Sequence, residues 1–243
     1  MKRLVFLLSL LLLFPSVAVS APVLEIKETR VIAVISEASG YYRDRGFYIK
    51  AGDFPAGERV EIIKDYSESR YFVRSMRTDK SGWVRRESLD IPPDTPANET
   101  RLTAEQLEEY VNNTGFFSDT NYFILTDIDR QLVHVFNGST RSWSLLKTMD
   151  CATGKNTSPT TRGLFKTGER GEWFYSERLG SGGMYWVRFN GPYLFHSIPM
   201  DKDKNVLDDT IGVRCSNGCI RLRISDAKWI FKTIPDGTGV FVT

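Results

Sequence analysis

Short apolar runs bracketed by turn residues recur along most of this chain, and they decide its fold class. In residues 24–91, Val31-Ile32-Ala33-Val34-Ile35 is a β-branched run, and Arg59-Val60-Glu61-Ile62-Ile63 alternates before turning apolar. Tyr71-Phe72-Val73-Arg74 and Gly82-Trp83-Val84 supply two more, with Gly40, Gly46, Gly52 and Gly57 between them. Regularly spaced short strands of this kind predict a small barrel. An aromatic share of 12%, spread along the chain, also favours strands over a helical bundle.

From Asn121 the runs lengthen. Strands are predicted at 122–126, 132–136, 143–147, 184–189, 193–197 and 239–242. A helix is expected after Ser225, whose hydroxyl can cap it, running through Trp229 and Ile230 to a stop at Pro235-Asp236-Gly237. Between the halves, Pro92, Pro93 and Pro96 start a stiff linker. Thr103-Ala104-Glu105-Gln106 then fits a capping box, with Leu107, Tyr110 and Val111 on one apolar face. The expected organisation is mostly β: an N-terminal β-barrel over 24–91, a linker with a short helix over 92–119, and a second, mixed domain with a late helix over 120–243.

The first twenty residues carry a different message. Lys2 and Arg3 precede an apolar run over 4–14 broken only by Ser9, followed by Pro15 and the small residues Ala18, Ser20 and Ala21. That order predicts a secretory signal peptide over 1–20, cut after Ser20. An uncleaved anchor is the alternative, but a spanning helix wants about 20 apolar residues and this run is shorter. Loss of Lys2 and Arg3 from the 32 basic residues leaves 30 against 30 acidic, a balance that gives no support for a nucleic-acid partner. The expectation is an exported protein of the periplasm, outer face or cell wall, with no membrane association after cleavage. The three cysteines, Cys151, Cys215 and Cys219, are an odd count, which in an exported protein suggests one free, reactive thiol.

Only two histidines are available as bases. His134 shares a strand face with Leu132 and Phe136, so a structural role is expected. His196 instead closes a strand before Ser197-Ile198-Pro199, where a strand end opening into a loop displays reactive groups. The thiol candidate sits in Arg214-Cys215-Ser216-Asn217-Gly218-Cys219-Ile220-Arg221-Leu222. Gly218 allows a tight turn that can aim backbone N–H groups at an oxyanion. A neighbouring imidazole can take the thiol proton. Arg221 adds positive charge that would favour a thiolate or bind a substrate carboxylate.

Other motifs fail. Gly154-Lys155 lacks the upstream glycine of a phosphate loop, because Met149 stands there. Asp201-Lys202-Asp203-Lys204-Asn205 starts like a calcium loop, but Val206 and Gly212 replace the turn glycine and closing glutamate. The cysteines and histidines do not fall at zinc spacing, and no cofactor is expected.

A strand ending in His196-Ser197, then Cys219 after 23 positions within Ser-Asn-Gly-Cys-Ile-Arg-Leu, resembles the L,D-transpeptidase, or YkuD-like, catalytic domain. Thr153-Gly154-Lys155 with Ser158-Pro159-Thr160-Thr161-Arg162-Gly163-Leu164-Phe165 is similar to another stretch of that family. So are Asp226-Ala227-Lys228-Trp229-Ile230 and Pro235-Asp236-Gly237-Thr238. The resemblance covers residues 120–243 and implies a β-sandwich-like mixed fold with the cysteine at a pocket rim. It implies that Cys219 is the acyl-accepting nucleophile and His196 its base. Ser197 would orient the imidazole through a backbone group, and the Gly218 and Cys219 N–H groups would hold the oxyanion. Ser216, Asn217, Gly218 and Arg221 would meet the substrate. Asn217 departs from the pattern, which has His there; Asn cannot carry a proton at neutral pH.

The implied partner is a peptidoglycan stem peptide and the implied reaction is cross-linking through a cysteinyl thioester. Attack by water would make the same residues a carboxypeptidase. A decayed, non-catalytic wall-binding protein is the third reading. Residues 24–91 resemble a bacterial Src-homology-3-like domain, on the turn Ala56-Gly57-Glu58 into Arg59 and the closing Gly82-Trp83-Val84. Such a domain implies either a wall-peptide binder or a spacer. With Cys219 free as nucleophile, Cys151 and Cys215 could form a disulfide or stay two buried thiols, and a Cys215–Cys219 pair would switch the enzyme off.

Overall fold

The computed structural model describes residues 26–243; the expected signal segment lies outside the described residues. The first part is a seven-stranded sheet. Its strands are β1 (Ile32–Ile35), β2 (Ser39–Tyr42), β3 (Lys50–Phe54), β4 (Arg59–Tyr66), β5 (Arg70–Ser75), β6 (Ser81–Arg85) and β7 (Leu89–Asp90), in the order β3-β2-β6-β5-β4-β1-β7. Strict alternation along β5 turns Tyr71 and Val73 inward, where they join Ala33, Ile35, Val60, Ile62 and Val84 in one apolar core.

Helix α1 (Ala104–Thr114) starts at the predicted capping box: Thr103 Oγ1 accepts from Gln106 N at 3.3 Å, and Gln106 Oε1 accepts from Thr103 N at 2.9 Å. It is not a free bridge. Leu107 and Val111 are buried in a cluster with Phe116, Phe123, Leu125, Phe136 and Trp143, so the helix forms a layer over the second sheet.

That sheet has nine strands: β8 (Tyr122–Asp127), β9 (Leu132–Ser139), β10 (Ser142–Ala152), β11 (Gly163–Lys166), β12 (Arg170–Ser176), β13 (Ser181–Asn190), β14 (Tyr193–Ser197), β15 (Ile220–Leu222) and β16 (Gly239–Val242). Their order is β11-β16-β8-β9-β10-β15-β14-β13-β12. β8 is buried on both faces: Phe123 and Leu125 face α1, whereas Ile124 belongs to a second cluster. That second cluster joins Val133, Val135 and Met149 to Phe195, Ile220 and Leu222, so both halves of the curled sheet share one core. Helix α2 (Ile224–Thr233) completes it with Ala227 and Ile230. Its N-cap is Arg223, with no side-chain cap bond, and Ser225 lies inside the first turn rather than capping it.

The two parts dock through polar contacts on the segment after β10. Tyr71 Oη donates to Thr157 O at 2.7 Å, Ser158 Oγ to Asp65 Oδ1 at 2.8 Å, and Lys155 pairs with Glu68 at 3.0 Å. The buried Glu61 carboxylate is shared between Arg74 of its own sheet, at 2.7 Å, and Arg162.

Candidate active site

β14 and β15 run parallel with His196 opposite Arg221. Paired residues share a face, and Cys219 lies two positions before Arg221, so the register brings His196, Cys219 and Arg221 to one side of the sheet. The loop before β15 is tied to the segment after β10: Lys155 N donates to Ser216 O at 3.1 Å, and Gly154 bridges Ser216. Thr153 anchors that segment through Gln131, with bonds of 2.7 and 2.8 Å. The Thr-Gly stretch thus acts as a seat for the cysteine loop.

His196 is buried, and its Nδ1 lies 2.6 Å from Ser197 O. A carbonyl only accepts, so Nδ1 carries the proton and Nε2 keeps its lone pair. Ser197 Oγ has a different task, accepting from Met184 N and donating to Ile198 O, both at 2.9 Å. The Phe174 ring meets the imidazole edge-on at 5.1 Å. Gly183 backs it: a Cβ there would sit 2.6 Å from His196 Nδ1. Gly218 has φ of 100°, and a Cβ would fall 2.7 Å from the Tyr193 ring. Sequence reasoning missed Gly183, Phe174 and Tyr193; only the Gly182-Gly183 pair just before the strand predicted at 184–189 hinted at close approach.

Cys219 is half-buried, with Sγ 3.7 Å from Pro192 O; among the described residues no hydrogen bond joins it to His196. Burial pushes its thiol up, and the Leu194 N–H with the Arg221 and Arg188 charges do not reverse this. Burial also pushes His196 down to about 4, against the pull of the Ser197 carbonyl, and Arg221 adds to the fall. Both groups are therefore neutral at neutral pH.

The Arg221 charge favours the Cys219 thiolate but does not outweigh burial, and its guanidinium is engaged with Asp208 at 3.1 Å and Cys215 Sγ at 3.6 Å. The Gly218 N–H already donates to Ser216 Oγ at 3.1 Å, while that hydroxyl donates to Cys219 O at 2.5 Å. Of the two states left open for Cys151 and Cys215, the structure has the free thiols, as it does for Cys219, with Cys151 buried opposite Leu222. Asn217 is exposed at the mouth of the site.

Two cavities meet at Cys219. A small recess of about 50 Å³ holds His196, Ser216 and Arg221. A cleft of about 670 Å³ adjoins it, lined by Tyr193 and Trp186 and by Arg45, Asp65 and Tyr66 of the first sheet. Nothing in the sequence pointed to those last three. His134, the other histidine, bonds Thr148 Oγ1 at 2.9 Å through Nδ1, and among the described residues its buried Nε2 has no partner. Among the described residues no group of three or more His, Cys, Asp or Glu side chains could hold a metal. Asp201 caps its own loop, accepting from Asp203 N and Asn205 N at 2.9 and 2.8 Å. Among them too, no helix is long and apolar enough to cross a membrane.

Residues 121–242 match the model of YkuD, the L,D-transpeptidase catalytic domain. The chain belongs to this L,D-transpeptidase family. Its catalytic domain is 36% identical over 132 residues to YciB of Bacillus subtilis (strain 168), itself provisionally named an L,D-transpeptidase. That match covers 50% of this chain and 65% of YciB, so it spans just under two thirds of that relative. Among solved structures, similarity extends to a fused Zn-dependent amidase/peptidase/peptidoglycan-binding domain-containing protein from Clostridium acetobutylicum ATCC 824. Identity there is 32% and the TM-score 0.50, over 67% of this chain and 76% of that one. An L,D-transpeptidase from Mycobacterium smegmatis is 15% identical with a TM-score of 0.41, over 73% and 68% of the two chains.

Proposed function

We propose that this protein is an exported peptidoglycan L,D-transpeptidase in which Cys219 is the nucleophile and His196 its base. The observation that carries the reading is the neutral imidazole, held by Nδ1 on Ser197 O, in the same recess as the Cys219 thiol. Its unprotonated Nε2 is a proton acceptor in the recess that the thiol also lines, the thiol at rest being directed at Pro192 O. As the S–C bond to the stem carbonyl forms, the proton moves to Nε2. The Cys219 N–H faces the oxyanion; Gly218 N–H joins only if Ser216 Oγ releases it. The imidazolium then protonates the departing D-Ala amine, leaving a thioester. An amine of a second stem attacks the thioester, passes its proton to Nε2, and the thiolate leaves and recovers that proton. The cleft of about 670 Å³ beside the thiol gives room for a stem peptide.

In this reading residues 1–20 are a signal peptide, 24–91 an Src-homology-3-like barrel that binds wall peptides, and the site of action is the cell wall or periplasm. The mature protein and its Cys219→Ala variant, incubated with tetrapeptide muropeptides, test the activity by mass spectrometry. The parent should release D-Ala and form dimers; the variant should do neither while melting within about 2 °C of the parent, since a half-buried thiol-to-methyl change removes little packing. D-Ala release without dimers would make the protein a carboxypeptidase. Equal turnover in parent and variant would end the mechanism.

A further inference from the structure

The large cleft beside Cys219 is built by both parts of the chain, and its charges are unevenly satisfied. The acidic groups on its rim are already occupied. Asp65 accepts from Ser158 Oγ at 2.8 Å and from Glu68 N at 2.9 Å, and Glu68 pairs with Lys155. Of the basic groups, Arg188 is engaged with Glu169 at 3.0 Å and with Gly191 O. Arg45 and Arg178 differ: both are exposed, both line the cleft, and among the described residues neither guanidinium has a carboxylate or carbonyl partner.

Arg45 is nevertheless held in place. Its guanidinium lies over the Tyr66 ring at 3.9 Å. Its carbonyl accepts from Arg70 at 3.1 Å, and the Asp44 carboxylate closes the loop on Tyr48 N and Ile49 N at 3.1 and 2.7 Å. A guanidinium stacked on a ring keeps its N–H edge free, the geometry that takes a carboxylate through two parallel hydrogen bonds. Loss of rotamer freedom on binding is also reduced, because the stacking has ordered the side chain beforehand. Arg178 approaches from the turn between β12 and β13, so the two cations reach the cleft from different domains.

We propose that Arg45 and Arg178 form a carboxylate clamp spanning the two domains, which takes a free carboxylate of the stem peptide and lays the chain along the cleft toward Cys219. The inference rests on the transpeptidase reading for the identity of the peptide. It makes the first domain part of substrate selection rather than a separate wall anchor.

Stem peptides carrying either a free carboxylate or a carboxamide at the same position test the clamp with the full-length mature protein. Arg45→Gln and Arg178→Gln should each raise KM for the free acid about tenfold, with kcat within about twofold of the parent. KM for the amidated stem should be the same in parent and variants, a selectivity that misfolding would not give. Unchanged KM for the free acid, or an equal rise for both stems, would overturn the proposal. If the parent turns over neither stem, the transpeptidase reading fails by itself. Calorimetric binding of both stems to Cys219→Ala and to Cys219→Ala with Arg45→Gln still decides the clamp: it requires a preference for the free acid that the second substitution removes.

Discussion

His196 and Cys219 are shifted in opposite directions by the same cause. Burial disfavours charge on either, lowering the imidazole to about 4 and raising the thiol. An ion pair would need both to be charged at once, so the resting site is a thiol beside a neutral base. Alkylation reports this directly, because only thiolate reacts. With the thiol raised, the iodoacetamide rate at Cys219 should climb about tenfold per pH unit from 7 to 9, without a plateau at neutral pH. Intact-mass kinetics over that range check it. A rate already flat from pH 6 upward would mean a preformed thiolate–imidazolium pair and would reverse the assignment of charges.

At the scale of elements, β13 forms the wall that sets the imidazole. Gly183 lies in this strand directly behind the ring, and only the missing Cβ leaves room for it. Gly183→Ala should displace His196 by a few tenths of an ångström to an ångström and cut kcat on the order of 100-fold. KM and melting temperature should change little; kcat equal to the parent would show that the ring is not positioned from this side.

Strongly patterned strands such as β4, β5 and β14 could be read from their apolar or alternating residues. β3, with Lys50, Gly52 and Asp53, and the three-residue β15 carry too few apolar positions to stand out. They are strands because neighbours pair with them. His196 and Cys219 stand out as candidates from residue type and spacing, and both line the small recess. Arg45 does not stand out, because only the docking of two sheets brings it to a cleft shared with a cysteine so distant in sequence. The occupied Gly218 N–H was equally invisible, since it depends on the rotamer of Ser216.

For the whole molecule, the division of the chain matters to any fragment experiment. A boundary at residue 120, the one that sequence suggests, removes Leu107, Val111 and Phe116 from the core that covers Phe123, Leu125 and Trp143. Loss of even one such side chain costs about 2–5 kcal/mol, a large share of a typical domain's stability. A fragment of residues 98–243 keeps α1 and the Asn98–Asp129 contacts at 2.8 Å and should stay soluble with an alkylatable Cys219. A fragment of residues 120–243 should aggregate or bind a dye for exposed apolar surface. Equal melting temperatures of the two fragments would show that α1 is dispensable.

The parallel pairing of β16 with β8, across more than a hundred residues, has a consequence in time. β8 lies between β9 and β16, so until β16 has been synthesised one edge of a doubly buried strand has no neighbour. The loop that brings them together is long, and pairing across such a span is slow. Phe123, Ile124 and Leu125 must therefore wait, exposed or loosely covered, through the making of every intervening strand. The catalytic half therefore closes only once β16 has been made, and a chaperone acting on the nascent chain has a defined interval in which to hold it.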